Sequence, residues 1–462
     1  MSPLINRRQV LQRGAHGFGW LALNAMLAGA APGAKPHFRP RAKNVILLFM
    51  DGGVSHVDSF DPKPLLQKEN GQPFKMKVEA TQFDANGHVL ASPWKFKPYG
   101  QSGIPVSELF PCTGSVIDDI CVIRSMKVDF PEHAQATLML HCGHPLQGRP
   151  SMGSWLSYGL GSENQNLPSY AVVSGGMVPL GGVENFGSGF LPATHQASTF
   201  DAFSGGEPIP NITPRESPAR QLGKLDFVAS ADQAFLKSLG HADAAVDAAI
   251  RNYETAFAMQ SAVPELTDIR GESEITKKLY GLDATDKLKS QYGRQLLMAR
   301  RMVERGVRCV EVGYVRGIRN VAPWDQHGSL VEHHAHNAYI VDQAIAALLT
   351  DLKSRGLLDS TLVIWAGEFG RTPFAQGLDG RDHNPQGFTI WMAGGGVKGG
   401  MTYGATDEYG YKAVEDMVTM HDLHATILHL MGINHKKLTF EHGGRDYRLT
   451  DVHGEVLQKI VA

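Results

Sequence analysis

Two stretches of the chain, residues 44–50 and 361–366, are almost continuously apolar and have the length of a β-strand. Polar and apolar residues do not alternate in them, which is typical of parallel strands buried on both faces of a sheet. Residues 119–126, 308–314 and 388–393 are further apolar segments of strand length. The pattern predicts an α/β fold with a mostly parallel central sheet.

Segments with helical periodicity lie between these strands. Apolar residues recur at helical spacing in residues 225–262 and 273–305, and a long helix is expected from about residue 332 to residue 355. Shorter helices are expected at residues 134–140 and 416–431. Together with the strands, these helices complete the α/β pattern.

Residues 161–218 are rich in glycine, proline, serine and asparagine, and they show little periodicity. We expect long surface loops here, with one short strand at residues 170–174. Loops of this length in a packed domain are usually functional. The segment is therefore expected to be a loop-rich insertion that forms the rim of a substrate site and accepts a bulky substrate such as a sulfated sugar.

The N-terminus has the features of an export signal. Arg7 and Arg8 form a twin-arginine pair, an apolar stretch diluted by glycine follows, and Ala-Gly-Ala at residues 28–30 provides a small-residue cleavage site. An amphipathic N-terminal helix is the alternative interpretation. The agreement of the three features favours a twin-arginine signal peptide over residues 1–30, cleaved after Ala30.

The predicted signal peptide determines the expected domain boundaries and the expected location of the mature protein. A basic, proline-bearing linker follows at residues 31–43, and residues 44–462 form the folded domain. No later stretch approaches the about 20 apolar residues of a membrane span, so no stable span is expected. The twin-arginine machinery exports proteins that are already folded, and the mature protein is expected in the periplasm or outside the cell.

Charge and histidine content narrow the functional classes. The 462-residue chain carries 44 lysine and arginine residues against 46 aspartate and glutamate residues, without a basic run after the N-terminus. This balance argues against a nucleic-acid partner. The 20 histidines gather at residues 327–336 and from His421 onward. Such clustering is suggestive of metal chemistry, although histidine-rich stretches also occur in solvated loops.

Acidic residues follow the two most apolar strands. Asp51 comes directly after the first of them, and Glu368 comes after the second, each in a glycine-containing turn. Ligand sites of open α/β sheets lie at the carboxyl ends of the strands, so the two acids are expected to converge. Asp51, which precedes two glycines, also fits a simple turn cap.

Two further segments supply metal-ligand chemistry. Asp325 and His327 are separated by one residue, and His383 follows Asp382 directly. Hard oxygen donors beside borderline nitrogen donors suit zinc, manganese or a similar divalent ion. The Asp-x-His spacing of Asp325 and His327 is common by chance. The prediction of a metal site therefore depends on the acids expected nearby at the strand ends.

Three other residues are candidates for catalysis or substrate binding. His133 lies in the first turn of the helix after Pro131, where it is placed to attack, donate a proton or bind a metal; the alternative is a solvent-facing histidine. Arg371 and His334 are expected to clamp the non-bridging oxygens of an anionic substrate. The alternatives are that Arg371 only pairs with Glu368 and that His334 only begins a helix.

Several motifs together resemble one family, the family of domain of unknown function 1501. That family is sulfatase-like and is similar to the alkaline phosphatase superfamily. The resemblance implies an alkaline-phosphatase/sulfatase-like three-layer sandwich with two metal sites at the carboxyl ends of the sheet, and hydrolysis of phosphate or sulfate esters. The motifs are M-D-G-G-V-S-H-V-D-S-F-D-P-K-P at residues 50–64, W-D-Q-H-G at 324–328, G-E-F-G-R-T-P at 367–373, G-R-D-H-N-P at 380–385 and H-D-L-H-A-T-I-L-H-L-M-G at 421–432.

The resemblance assigns the metal ligands. Asp51 corresponds to the aspartate that binds the metal on the nucleophile side, and Glu368 to the acid of an Asp-His or Asp-Asn pair whose second member is Phe369 here. The ligands of the other metal are then Asp325, His327 and His383.

The resemblance also locates the nucleophile. His133 occupies the place where superfamily members have serine, threonine or a modified cysteine. None of the four cysteines is followed by the C-x-P-x-R-like signal for formylglycine formation. His133 is therefore expected to be a nucleophile, a metal ligand or a sign of lost activity.

The sequence predicts an exported, metal-dependent hydrolase of sulfate or phosphate esters that acts on a small-molecule or glycan ester. It would use one or two divalent ions, with zinc as the first expectation and manganese or calcium as alternatives. The competing hypothesis is a secreted, non-catalytic, metal-stabilised protein that binds a glycan or a cell-envelope partner.

Overall fold

The computed structural model describes residues 35–79, 81, 83, 86–202, 207–239, 244–314 and 323–462. The predicted signal peptide, residues 1–30, and residues 31–34 of the predicted linker lie outside this part of the chain. None of the described helices combines the length and apolar character that a membrane span requires.

The chain alternates strands and helices, as the apolar pattern predicts. The strands are β1 (Asn44–Phe49), β2 (Asn86–Val89), β3 (Phe96–Tyr99), β4 (Ile104–Ser107), β5 (Ile120–Lys127), β6 (Tyr170–Ser174), β7 (Ser198–Asp201), β8 (Cys309–Gly313), β9 (Thr361–Ala366), β10 (Gly370–Gln376), β11 (Gly380–Asn384), β12 (Phe388–Ala393), β13 (Met401–Tyr403), β14 (Ala405–Thr406), β15 (Ala413–Glu415), β16 (Val418–Thr419), β17 (Phe440–His442) and β18 (Arg445–Tyr447).

Helices cover the sheet and fill the connections between strands. The α-helices are α1 (Pro64–Lys68), α2 (Pro111–Ser115), α3 (His133–Cys142), α4 (Met152–Leu160), α5 (Pro218–Leu239), α6 (Ala244–Thr267), α7 (Glu274–Leu279), α8 (Lys287–Glu304), α9 (Leu330–Ser354) and α10 (Met420–Leu430). Short 3-10 helices occur at His56–Asp58, Ile117–Asp119, Gly182–Phe186, Ala193–His195, Leu358–Ser360 and Gln458–Ile460.

The central sheet is mostly parallel. Among the described residues it has nine strands, in the order β13-β5-β12-β9-β1-β8-β6-β7, and β16 also pairs with β5. β12 runs antiparallel to both of its neighbours, whereas β1 is parallel to both β8 and β9. The carboxyl ends of β1, β8 and β9 therefore meet at one edge, as the sequence predicts for an open α/β sheet.

Two hydrophobic cores lie on opposite faces of this sheet. In β1, Ile46 and Leu48 face the core that also contains residues of α8 and α9. Val45 and Leu47 face the other core, which is shared with α3, α4 and α10. This alternation produces three layers, helix on sheet on helix, and confirms the predicted architecture.

Some local predictions differ from the structure. The segment 161–218 contains a second strand, β7, which forms the edge of the central sheet through parallel pairing with β6. The residues predicted as helical at 225–262 are described as two helices, α5 and α6, whereas α10 begins at Met420, within the predicted segment 416–431. The segment after Glu368, for which no strand was predicted, is a β-hairpin made of β10 and β11.

This hairpin forms a small antiparallel sheet with β2 and is anchored by a buried ion pair. Arg381 Nε donates to Asp58 Oδ2 at 2.7 Å, and a terminal amine of Arg381 donates to Asp58 Oδ1 at 3.1 Å. Both side chains are fully buried. The bidentate geometry fixes the hairpin against the short 3-10 helix after β1.

We expect Asp58→Asn to destabilise the fold by about 3–5 kcal/mol, because it leaves the Arg381 guanidinium buried without a counter-charge. Urea denaturation of the purified protein measures this change. The matched control is Asp119→Asn, which breaks a surface pair with Lys353 and should cost less than about 1 kcal/mol. Equal effects of the two substitutions would contradict the role of the buried pair.

The same pair predicts a pH dependence. Burial alone raises the pKa of Asp58, but Arg381 outweighs burial and holds that pKa below its ordinary value. The stabilisation is therefore present above pH about 4 and is lost as the pH falls through the folded-state pKa. The stability difference between the native protein and Asp58→Asn should shrink in acid, which denaturation curves at pH values below about 4 would measure.

Candidate metal centre

Three histidines converge on one carboxylate oxygen at the carboxyl edge of the sheet. Asp325 Oδ1 lies 3.2 Å from His133 Nε2, 2.7 Å from His327 Nε2 and 3.2 Å from His383 Nε2. One ligand atom from each of the four residues lies within 4.8 Å of the others. The four side chains enclose a space in which each can offer a donor atom to a single ion.

Local structure brings these four side chains together. His133 is the first residue of α3, whose N-terminus is capped by the Glu132 carboxylate through Ala134 N and Gln135 N. His383 lies on β11. The loop before α9 supplies Asp325 and His327.

A glycine after β1 allows the loop with Asp325 to approach. Gly52 has a φ of +106°, and a Cβ on it would lie 2.6 Å from the backbone nitrogen of Asp325. Trp324 N also donates to the carbonyl oxygen of Asp51 at 3.0 Å. A residue with a side chain at position 52 would therefore push Asp325 out of place.

The other ring nitrogen of each histidine is held by an acceptor. His133 Nδ1 lies 2.6 Å from Glu368 Oε1, and His383 Nδ1 lies 2.6 Å from the carbonyl oxygen of Pro131. His327 Nδ1 hydrogen-bonds to Gln376 Oε1. Because an acceptor at Nδ1 favours the proton there, each Nε2 is the ring nitrogen left to bind an ion.

The donor set fits a divalent transition metal. Three imidazole nitrogens and one carboxylate oxygen are ligands that suit zinc and similar ions. His133 Nε2 is buried and makes no well-aligned hydrogen bond among the described residues, although Asp325 Oδ1 lies 3.2 Å away. A bound cation would give this buried nitrogen a directed partner.

The pKa shifts of the residues at the centre indicate that it favours a positive charge. Burial raises the pKa of Asp325, but Arg371 and the surrounding imidazoles outweigh burial and hold it far below its ordinary value. Burial lowers the pKa of His133, but the carboxylates of Asp325 and Glu368 outweigh burial and raise it to about 9. Burial and the Arg371 charge lower the pKa of His383 to about 3. Asp325 is therefore ionised and ready to bind a cation.

The two predicted acids at the strand ends lie beside this group. Glu368 is fully buried and accepts from Gly52 N at 3.0 and 3.2 Å as well as from His133. Asp51 is buried, and its Oδ1 has no partner among the described residues. Burial and the nearby Glu368 charge raise the pKa of Asp51 to about 7. Neither acid belongs to the four-residue group, and Glu368 orients His133 from behind.

Arg371 makes its hydrogen bonds to other groups of the protein. Arg371 is fully buried, and its guanidinium donates to Asp325 Oδ1 at 2.6 Å. It also donates to the backbone carbonyls of Gly52, Gly53 and Arg381. Four of its five N–H groups are thereby used, so Arg371 holds Asp325 in place. Its pairing partner is Asp325 and not Glu368, and substrate binding by Arg371 stays a prediction.

His334 lies outside the ligand group. It is fully buried, its Nδ1 lies 2.7 Å from Gln326 Oε1, and its ring packs 4.8 Å from that of Trp324. Burial lowers its pKa to about 3. In this position, His334 is a neutral residue of the protein interior, and its role in substrate binding stays a prediction.

A match to a protein-family model identifies the family of this chain. The model of DUF1501, described as a protein of unknown function, matches residues 42–461. The chain belongs to the DUF1501 family. This confirms the resemblance that the motifs predict. No curated protein matches the chain.

Solved structures similar to this DUF1501 chain include three from bacteria. The PsFucS1 sulfatase from Pseudoalteromonas sp. is 11% identical over 91% of this chain and 72% of that chain, with a TM-score of 0.35. A phosphonate monoester hydrolase from Agrobacterium radiobacter is 12% identical over 85% and 74%, with a TM-score of 0.35. The lipoteichoic acid synthase LtaP from Listeria monocytogenes is 9% identical over 93% and 80%, with a TM-score of 0.36. Similarity at this level carries no argument about what the DUF1501 chain binds.

Sequence analysis did not identify several residues around the centre. Gln376 reaches His327 only through the fold of the β10–β11 hairpin, and no sequence signal points to it. His141 Nε2 lies 3.0 Å from Glu311 Oε1 in a fully buried pair near Asp51. Glu311 could have been identified from the sequence, because an acid in the middle of a buried apolar strand requires a partner.

The position of Glu368 generates a prediction. If Glu368 acts by accepting a hydrogen bond from His133 Nδ1, Glu368→Gln keeps an oxygen acceptor and should retain most of the metal affinity. Glu368→Leu removes the acceptor and should weaken metal binding about 10–100-fold. Competition with a chelator measures the affinity for zinc. An equally large loss in Glu368→Gln and Glu368→Leu would indicate that Glu368 binds the metal directly.

Proposed function

We propose that this protein is an exported, metal-dependent hydrolase of sulfate or phosphate esters. The observation that supports the proposal is the convergence of the Nε2 atoms of His133, His327 and His383 on Asp325 Oδ1. Each Nδ1 is occupied by an acceptor. A structural role does not require three imidazole nitrogens oriented toward an ionised, partly accessible carboxylate.

The residues that hold the ion would be His133, Asp325, His327 and His383, with zinc as the first expectation and manganese or calcium as alternatives. When bound, a divalent ion polarises an ester oxygen and stabilises the charge that develops on it. The side chains of Asp325 and His327 are 14% and 25% exposed, whereas His383 is 1% exposed. The ester would therefore enter from the side of Asp325 and His327.

His133 is assigned here to metal binding. Both of its ring nitrogens face carboxylates, Nδ1 toward Glu368 and Nε2 toward Asp325. A nucleophile needs an open approach to its lone pair, and this arrangement encloses the ring. The role of Glu368 is to orient this ring, and Arg371 keeps Asp325 aligned.

The pair of Asp51 and Glu368 supports a second ion. Two neighbouring buried carboxylates repel each other unless one of them is protonated or a cation lies between them, and a cation would allow both to be ionised. The free Oδ1 of Asp51 is available for such an ion. One ion in the four-residue group and one beside Asp51 would complete the pair of sites that the family motifs imply.

Export is proposed from the N-terminal motif alone. The twin-arginine pair and the Ala-Gly-Ala segment predict transport by the twin-arginine machinery, after folding, to the periplasm or the outside of the cell. Loading of the metal before export fits this route.

The proposal predicts that metal content and turnover are lost together. The double variant His327→Ala, His383→Ala should lose most of its bound metal and at least about 100-fold of its turnover, because the donor set is halved. Elemental analysis measures the metal, and 4-nitrophenyl sulfate, 4-nitrophenyl phosphate and bis(4-nitrophenyl) phosphate report turnover. His88→Ala, which removes an exposed histidine, is the matched control.

Two outcomes count against the hydrolase. Stoichiometric metal without turnover of any of the three esters would favour the secreted, metal-stabilised binding protein. A folded native protein that binds no zinc, manganese or calcium would contradict both hypotheses.

A further inference from the structure

A cavity lies at the start of α10. Its volume is about 550 Å³, within the range of about 300–1,000 Å³ that is usual for small-molecule sites. Its walls come from the end of β5, the start of α10 and the loop that contains His453. The polar residues that carry the argument are Lys127, Asp129, His421, Lys436, His453 and Glu455.

A short segment connects this cavity to the metal centre. Asp129 lines the cavity, and two residues later the carbonyl oxygen of Pro131 accepts a hydrogen bond from His383. His133 begins α3, and Met139 of the same helix lines the cavity. Six residues of helix correspond to about 9 Å along the axis. A ligand of several linked units is long enough to cover this separation along the helix.

Hydrogen bonds within the protein hold the cavity walls in position. The Asp422 carboxylate accepts from Thr419 N at 2.9 Å and from Glu455 N at 2.7 Å, which ties the loop to the start of α10. Gly454 has a φ of +97°, and a Cβ on it would lie 2.9 Å from the carbonyl oxygen of His421. His421 Nε2 lies 3.0 Å from the carbonyl oxygen of Gly143 at the end of α3. The cavity is therefore preformed.

Exposed polar side chains remain available along the lining of this cavity. Among the described residues, the ammonium of Lys436, the imidazole of His453 and the carboxylate of Glu455 have no hydrogen-bond or ion-pair partner. The His453 ring packs against that of His421, with centroids 5.0 Å apart. These groups can contact a ligand without breaking an interaction within the protein.

The hydrogen-bond donors, acceptors and charges of these groups indicate which kind of ligand the cavity can bind. Lys436 offers only donors, Glu455 offers only acceptors, and His453 offers one of each when neutral. Lys127 is neutralised by Asp129 at 3.3 Å, so the lining has no excess of positive charge. Sulfate and phosphate groups only accept hydrogen bonds and need positive charge, whereas a sugar hydroxyl both donates and accepts. The lining therefore suits an uncharged polyhydroxylated ring, whose apolar face can pack on the imidazole pair.

We propose that this cavity binds an uncharged sugar unit of a glycan whose sulfate or phosphate ester reaches the metal centre. Placement of the ester at the metal centre rests on the proposed function, whereas binding of a sugar unit in the cavity does not. The substrate class is thereby narrowed to esters carried on an oligosaccharide.

Isothermal titration of the purified protein with maltohexaose, cellohexaose and chitohexaose tests sugar binding. At least one of these should bind. The double variant Lys436→Ala, His453→Ala should weaken that binding at least about tenfold, because it removes a donor and the exposed ring of the stacked pair. Lys437→Ala is the matched control, because this adjacent exposed lysine does not line the cavity, and it should leave the affinity unchanged.

A further variant separates this inference from the proposed function. The double variant His327→Ala, His383→Ala should retain sugar binding even where it loses metal and turnover. Absence of binding by all three oligosaccharides would overturn the proposal, as would an affinity unchanged by Lys436→Ala, His453→Ala in folded protein. Binding of sodium sulfate that depends on Lys436 and His453, without sugar binding, would assign an anion site and would also overturn it.

Discussion

One carboxylate oxygen, Oδ1 of Asp325, organises the candidate site. Three imidazoles and the Arg371 guanidinium point to it. An ionised carboxylate in a largely buried position is stable only when surrounding charges and donors replace its lost hydration. Because Arg371 also binds the carbonyls of Gly52 and Gly53, the position of Asp325 depends on the turn after β1.

The fold supplies these groups from distant parts of the chain. Parallel pairing of β1 with β8 and β9 places the strand ends at one edge. The β10–β11 hairpin then carries His383 back to that edge, with Arg371 directly across in the register. The buried pair of Asp58 and Arg381 fixes the hairpin. The geometry of the centre thus depends on interactions that lie outside the ligand group.

The site and the neighbouring cavity suggest a division of roles along one edge of the sheet. The metal centre presents oriented nitrogen and oxygen donors, which suit an ion and a charged ester. The cavity presents a mixture of donors, acceptors and ring faces without excess charge, which suits an uncharged ring. The segment that contains Pro131 belongs to both, since its carbonyl holds His383 while Asp129 lines the cavity. A substrate with one charged and one uncharged part matches this arrangement.

The sequence by itself determined the framework and the candidate residues. Continuously apolar segments specified β1 and β9 as buried parallel strands, because burial on both faces leaves no place for alternation. Two motifs named Asp325, His327 and His383, and the start of the helix after Pro131 named His133; the structure brings the four together. Edge strand β7 and the β10–β11 hairpin escaped prediction, because short strands in loop-rich or polar segments depend on the partner they find.

Tertiary structure alone decided which groups each residue contacts. A carboxylate has the same sequence signal whether it lies next to an ion or next to the far nitrogen of a histidine. Only the packed structure shows that Glu368 Oε1 lies 2.6 Å from His133 Nδ1. In the same way, only the packed structure shows that Arg371 uses its N–H groups on Asp325 and on backbone carbonyls. Roles of this kind depend on distances between residues far apart in the chain, which local sequence does not encode.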